Sequence, residues 1–302
     1  MSRRIVCVGE ILWDALPAGL FLGGAPFNVA SHLHVLGEAV GVGSRVGDDV
    51  LGDEALRRLR ARGLSDALVQ VDDTLPTGLV RVDLTPTDDP DYEIVEPAAW
   101  DALARPDALQ DHVDRAAALV FGSLAQRSTP ARRTIQRLCK TDGLRVFDVN
   151  LRPPHVDRTV VEYSLRLADV VKVNEHELTQ LCGWFGLATD PEAALADLAD
   201  TFACSTVCVT LGDQGARLWR EGTHWHHPGH PVEVADPVGA GDAFLAAFLS
   251  GLLHGRDGEA LLNLANGLGA YVAAHPGAFP DYEVSTLDDI LRLSPGNQTS
   301  AS

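Results

Sequence analysis

Lysine is nearly missing from this chain: Lys140 and Lys172 are the only two in 302 residues. Neither follows a glycine, which excludes the Gly-Lys-Ser/Thr loop that cradles phosphate in Walker-type proteins. Protein-kinase signatures are missing too, and no Gly-x-Gly-x-x-Gly follows the first strand-like run, so the dinucleotide fingerprint is absent. Positive charge is scarce in general. Against 42 acids stand 24 lysines and arginines, a net charge of −18. That excludes partners that need a basic face, nucleic acid and anionic membrane above all. An anionic nucleotide remains open to it, because local N–H groups and a metal can hold one. No run reaches the ~18 apolar residues that a membrane span requires, and the apolar run 5–9 is too short for a signal peptide. The five cysteines (Cys7, Cys139, Cys182, Cys204 and Cys208) are odd in number and fit no zinc spacing. They read as buried free thiols in a reducing compartment, so a cytoplasmic location is expected.

What is present is an ordinary globular composition, 46% apolar and 22% charged, long enough for one large α/β domain or two small ones. Strand-like runs at 5–9, 40–46, 119–121, 145–150, 170–173 and 206–211 alternate with helical patterns. The helices are expected at 25–36, 49–62, 129–139, 158–167, 175–181, 192–202, 242–253 and 258–274. This rhythm predicts a parallel sheet with helices on both faces. Two segments break it. Residues 12–24 read as a loop with Pro and Gly. Residues 79–84 and 92–95 lack a helix between them, with the turn Thr87-Asp88-Asp89-Pro90 in the gap. They predict a small antiparallel sheet attached to the body as a lid. The polar tail 294–302 is expected to be disordered.

Ligands of such a sheet sit beyond the carboxyl ends of its strands. Polar residues follow the strands there: Glu10 and Asp14, Arg45 and Asp48, Ser123 and Gln126, Asn150 and Arg152, Asn174 and Glu177, Thr210 and Asp213. They suit hydroxyl and phosphate recognition. The stretch Asp236-Pro237-Val238-Gly239-Ala240-Gly241-Asp242 runs into an apolar helix. A glycine turn that opens a helix aims several N–H groups at one spot, where the helix dipole adds positive potential. Asp242, beside that anion hole, suits a base that takes a proton from an attacking hydroxyl; it equally suits a capping acid. Gly23-Gly24-Ala25-Pro26-Phe27-Asn28 opens an earlier helix. Asn28 could hydrogen-bond a sugar hydroxyl or sit on a solvated face. Asp14 suits a polyol or an exposed loop. Asn174 and Glu177 share a face at a helix start, fit for a hydrated Mg2+ or for a capping box. Thr210, Gly212 and Gly215 fit nucleotide contacts or a plain hairpin. Asn266, with Asn263, lies in an apolar helix and suits an adenine edge or the helix's outer face.

Together and in this order, these stretches resemble the ribokinase-like (PfkB-type) sugar kinase family over residues 3 to about 290. Val8-Gly9-Glu10 with Asp14, Gly23-Gly24-Ala25 with Asn28, and Gly47-Asp48-Asp49 with Gly52 match its first signature. Asp148, Asn150 and Arg152 follow, then Asn174 and Glu177, then Thr210, Gly212 and Gly215. The stretch 239–242 is the second signature. Gly122-Ser123-Leu124-Ala125-Gln126-Arg127 and Glu96-Pro97-Ala98-Ala99-Trp100-Asp101 are similar to bacterial fructokinase-type members.

The resemblance implies one domain over 1–293, a three-layer α/β/α sandwich with a mostly parallel sheet and a β lid built from about 10–24 and 77–97. It implies transfer of the ATP γ-phosphoryl group to a sugar hydroxyl, fructose first. Asp242 would be the base, and the N–H groups of Gly239, Ala240 and Gly241 would hold the phosphoryl group. Asp14, Gly23, Gly24, Asn28 and Arg152 would hold the sugar. Asn174, Thr210, Gly212, Gly215 and Asn266 would line the ATP site. Glu177 would organise Mg2+ through water. A monovalent cation, K+, is implied near Asp236 and the Val238 carbonyl, with His275, Gly277 and Asp281 around it. Ala25 stands where ribokinases carry Lys, which speaks against ribose. Pro237 and Asp281 also depart from the family pattern and leave the K+ requirement open. A 2-keto-3-deoxygluconate kinase is the neighbouring reading, and a non-catalytic sugar or nucleotide sensor the rival from another class. Edge strands of the lid offer pairing to a second copy, a homodimer.

Overall fold

In the computed structural model, which describes residues 4–16, 19–83, 91–283 and 285, side chains of the first strand, β1 (Arg4–Val8), divide between two layers. Ile5 and Cys7 join one apolar cluster, Val6 and Val8 the other. Helices cover both faces, so the strand is apolar from Ile5 to Val8 rather than alternating.

The chain continues with β2 (Leu12–Leu16), β3 (Gly19–Gly23), α1 (Ala25–Val35), β4 (Ala39–Gly47), α2 (Val50–Ala61), β5 (Val69–Asp72), β6 (Gly78–Asp83) and β7 (Asp91–Ile94). Then come α3 (Asp107–Asp114), β8 (Ala118–Gly122), α4 (Thr129–Leu138), β9 (Leu144–Asp148), α5 (Arg158–Leu167) and β10 (Val170–Asn174). The last elements are α6 (Glu175–Phe185), α7 (Pro191–Phe202), β11 (Thr206–Thr210), β12 (Ala216–Arg220), β13 (Thr223–His227), α8 (Ala240–Leu253) and α9 (Gly258–Ala273).

Nine strands form the main sheet in the order β13-β12-β11-β10-β9-β8-β1-β4-β5. It is parallel from β11 to β5, and β12 and β13 add an antiparallel hairpin. Helices α1, α2, α8 and α9 pack on one face and α3 to α7 on the other. The expected three-layer α/β/α arrangement is therefore present. The chain leaves β1 for β4 on one side and later returns to β8 on the other, so a crevice opens beyond the carboxyl ends of β1 and β8.

The second sheet has the order β3-β2-β6-β7. Two expectations are corrected here. Residues 12–24 are not a loop but mostly two strands, and the sheet is mixed: β2 pairs antiparallel with β3 and parallel with β6. Leu12 pairs with Gly23 on one side and with Gly78, far along the chain, on the other, a second pairing that no local pattern of Pro and Gly reveals. Arg127 fastens this sheet to the body. It donates to the carbonyls of Ile94 (3.2 Å) and Val95 (2.9 Å), pairs with Asp101 and stacks 4.0 Å from the Trp100 ring. Edge strand β3 exposes Leu20 and Phe21. The turn Thr87-Asp88-Asp89-Pro90 and the tail 294–302 lie outside the described residues. No helix among the described residues is long and apolar enough to cross a membrane.

Candidate active site

Strand ends and two helix starts converge on one cleft of about 670 Å³. Gly24 caps α1 at φ +111°, and a Cβ there would meet the Glu10 carbonyl oxygen at 2.4 Å, so the backbone passes where no side chain could. A Cβ on Gly23 would stand 2.7 Å from Asp14 Oδ2, so this glycine leaves room for that carboxylate. Asn28 follows on the first turn of α1. It is buried, not on a solvated face, and its Nδ2 donates to Asp242 Oδ2 at 2.8 Å. Across the cleft Gly239 caps α8 at φ +79°, and a Cβ there would lie 2.5 Å from Ala278 Cα. Helix α8 starts at this turn, so its first N–H groups lack intrahelical acceptors. Gly239, Gly241 and Asp242 line the cleft, and Ala240 between them donates a long bond to the Pro237 carbonyl at 3.3 Å.

Of the residues expected here, Asp14, Gly24, Asn28, Arg152, Asn174, Thr210, Val238, Gly239, Gly241 and Asp242 share this one cleft. Others stand apart from it. Glu177 is buried, and the capping box is present: Asn174 Oδ1 accepts from Glu177 N–H at 2.9 Å, while Glu177 Oε2 accepts from Asn174 N–H at 2.9 Å. Its Oε1 accepts from Leu151 N–H at 2.8 Å. Gly212 and Gly215 form a tight hairpin turn between β11 and β12, closed by Leu211 N–H to the Gly215 carbonyl at 2.8 Å. Asn266 is buried in α9 rather than on an outer face, and its amide donates to the Leu262 carbonyl at 2.7 Å. Asp236 accepts from Val238 N–H and Gly277 N–H, both at 3.0 Å, so Asp236 and Gly277 do meet.

Two residues were not assigned to the site from the sequence: Lys172 was given no role, and Glu10 only a place among the polar residues that follow the strands. Lys172 lies in the middle of β10, buried, with Nζ 3.0 Å from Asp148 Oδ1 and close enough to Gly241 that a Cβ there would meet it at 3.2 Å. Burial opposes its charge, but Asp148, Glu177 and Asp242 outweigh that and raise its pKa. Its signal was plain: a lysine inside Val170-Val171-Lys172-Val173 must find a partner in the core. The second is Glu10, buried on the cleft wall, with Oε1 accepting from Ala25 N–H at 3.3 Å and Oε2 without a partner.

The cleft is rich in carboxylates held out of water, and burial is the first cause of their raised pKa values. Glu10 is pushed up to about 7 and Asp14 to about 6, in both cases against the pull of Arg152. Asp242 rises to about 6, through burial and then the Asp148 charge, against the Asn28 hydrogen bond, Lys172 and Arg152. Such groups bind a proton more tightly folded than unfolded. Their stabilising share is complete below about pH 4 and is lost as pH rises to about 7. Glu10→Gln mimics the protonated form. It is expected to exceed the parent in urea-unfolding free energy at pH 8 by about 3 kcal/mol, and to match it at pH 4. Equal stabilities at pH 8 would mean that Glu10 carries no buried charge.

A doubly covered parallel sheet with a β lid, whose switch-point cleft sets a carboxylate on a glycine-capped helix, is the ribokinase-like architecture. The chain belongs to the pfkB family of carbohydrate kinases, whose model matches residues 18–283. It is thus an ATP-dependent sugar kinase, a phosphotransferase with an alcohol group as acceptor. It is 30% identical to fructokinase-1 of Oryza sativa subsp. japonica, with 97% of this chain and 98% of that protein covered. Fructokinase of Escherichia coli is also 30% identical, over 92% of this chain and 95% of its own. The structure of Vibrio cholerae fructokinase in its fructose-, ADP- and calcium-bound form matches with a TM-score of 0.82 and 25% identity, covering 96% and 99% of the two chains.

Proposed function

We propose that the acceptor is fructose and that Asp242 is the general base. The observation that carries this reading is the Asp242 carboxylate, held at 2.8 Å by Asn28 on the first turn of α8, beside the glycine turn. Phosphoryl transfer needs positioning and charge stabilisation above all. The N–H groups of Gly239, Ala240 and Gly241 would face the transferring phosphoryl group, with the Lys172 ammonium behind Gly241. Asp242 would take the hydroxyl proton as the oxygen attacks. Asp14, Asn28, the backbone at Gly23 and Gly24, and Arg152 would hold the sugar. Asn174 and Thr210 would meet the nucleotide in the cleft, with Gly212, Gly215 and Asn266 flanking it. The small sheet would close over the sugar and exclude water, which suppresses ATP hydrolysis.

Among the described residues no group of three or more His, Cys, Asp or Glu side chains is arranged to hold a metal. Mg2+ would therefore arrive on the phosphates and keep its waters, and Glu177, buried behind the cleft with each oxygen already accepting an N–H, would orient one of those waters only through a lone pair left free. When bound, Mg2+ would neutralise phosphate charge. Asp236 already accepts two N–H groups, and no step here depends on K+.

The test is ADP release with fructose, ribose, 2-keto-3-deoxygluconate and adenosine. Fructose is expected to give the highest kcat/KM. Preference for the deoxygluconate would instead set Arg152 against a carboxylate. Sugar-dependent stabilisation without ADP release would mark a sensor. Arg152→Ala is expected to raise the fructose KM about tenfold, the worth of one charged hydrogen bond, and the ATP KM far less. Equal rises would remove Arg152 from the sugar site.

A further inference from the structure

We propose that His32 is a positioning residue: it clamps the segment 277–282 onto α1 and so fixes the backbone on which the glycine turn of α8 rests. This rests on the reading of that turn as the phosphoryl-binding site. His32 is fully buried on α1, one helical turn after Asn28. Both ring nitrogens are engaged. Nε2 lies 3.1 Å from the Ala278 carbonyl and Nδ1 lies 2.8 Å from the Tyr282 hydroxyl. A carbonyl only accepts, so Nε2 carries the proton and Nδ1 accepts from the tyrosine. Burial, and then the Arg62 charge, push His32 down to about 4 against the Ala278 bond, so this neutral form persists at working pH. The ring also lies 4.9 Å from Phe279 and 5.8 Å from Tyr282. The Arg62 guanidinium lies over both Phe27 and Phe279.

What the clamp holds is the floor of the turn. Ala278 stands so close to Gly239 that a Cβ on that glycine would meet Ala278 Cα at 2.5 Å. The next residue back, Gly277, donates to Asp236 at the other end of the same turn. Helix α1 therefore reaches the start of α8 by two routes, one direct and one through Ala278. Asn28 holds the Asp242 carboxylate directly, and His32, four residues on and on the same face, holds the strap behind the N–H groups. A shift of the strap would move the N–H groups relative to the base, and phosphoryl transfer is sensitive to displacements of about 1 Å. A merely structural histidine would alter stability and leave this geometry alone.

His32→Phe keeps a ring in place and removes both hydrogen bonds. Tyr282→Phe removes one of them and carries the test if the first variant fails to fold. The expected result is a fall in kcat of about tenfold or more for His32→Phe, smaller for Tyr282→Phe, with the fructose KM changed by less than about twofold. His32→Gln, which returns a donor toward Ala278, is expected to recover part of kcat. Amide exchange is expected to speed up together in the peptides covering 236–242 and 275–283. A folded His32→Phe protein with parental kcat, or with faster exchange confined to 275–283, overturns the proposal. If the parent protein releases no ADP with any sugar, the phosphotransfer reading fails on its own, and the exchange pattern still decides the clamp.

Discussion

Asp242→Ala is expected to lower kcat by about a hundred- to ten-thousandfold, the range typical of removing a general base, while fructose and ATP still bind. The loss should exceed that from any sugar contact, because Asp242 is the one carboxylate on the first turn of the glycine-capped helix. Asp242→Asn leaves an oxygen for the Asn28 amide and is expected to be as inactive as the alanine variant, which separates proton acceptance from the hydrogen bond. The pH profile carries the same assignment. A base must be ionised to accept a proton, and burial pushes Asp242 up to about 6, so kcat/KM is expected to fall as pH drops below about 6. ADP release measures the turnover, and the fructose-induced rise in melting temperature measures the binding. Near-parental turnover in either variant would take the base role from Asp242.

Lys172→Met is the second large effect, expected on stability and turnover together. It leaves Asp148, buried and with Oδ2 already lacking a partner, as an uncompensated charge. Stranding such a charge costs about 3–5 kcal/mol, read as a fall in the urea-unfolding free energy. The double variant Lys172→Met with Asp148→Leu removes both charges and is expected to regain most of that stability. Turnover should not return with it, because no ammonium then stands behind Gly241. Recovery of both properties would confine Lys172 to holding the core.

Much of the layout was readable because each βα unit repeats the same physics. A short apolar run ends at polar residues, and a capped amphipathic helix follows. Strand β1 and helices α1 and α8 fall within about two residues of their expected bounds. Strand β5 was missed because Val69-Gln70-Val71-Asp72 is four residues long and sits at the edge, where Val71 meets water and the polar Asp72 is the buried residue. Helix α3 buries only Leu109 and Val113, too few to show a period. Strand β2 lies between β3, its neighbour in the chain, and β6, whose Gly78 is sixty-odd residues beyond Leu12, and no local window contains that second partner. At the cleft, the glycine turns and Asn28 stood out because backbone that approaches a ligand needs glycine. Lys172 did not, since lysine was sought only after glycine, as a phosphate loop has it. The strand instead brings it to the turn from below. Asn266 carried no sign that its amide would be satisfied inside its own helix.

The shortage of lysine has a practical consequence at the opposite pole of the molecule. Lys140 is exposed just past α4, ahead of the residue where β9 begins, and therefore on the side away from the cleft. Lys172 is sealed behind the glycine turn. Coupling through lysine side chains thus has a single accessible handle, and molecules tethered through it to a sensor surface share one orientation, mouth outward.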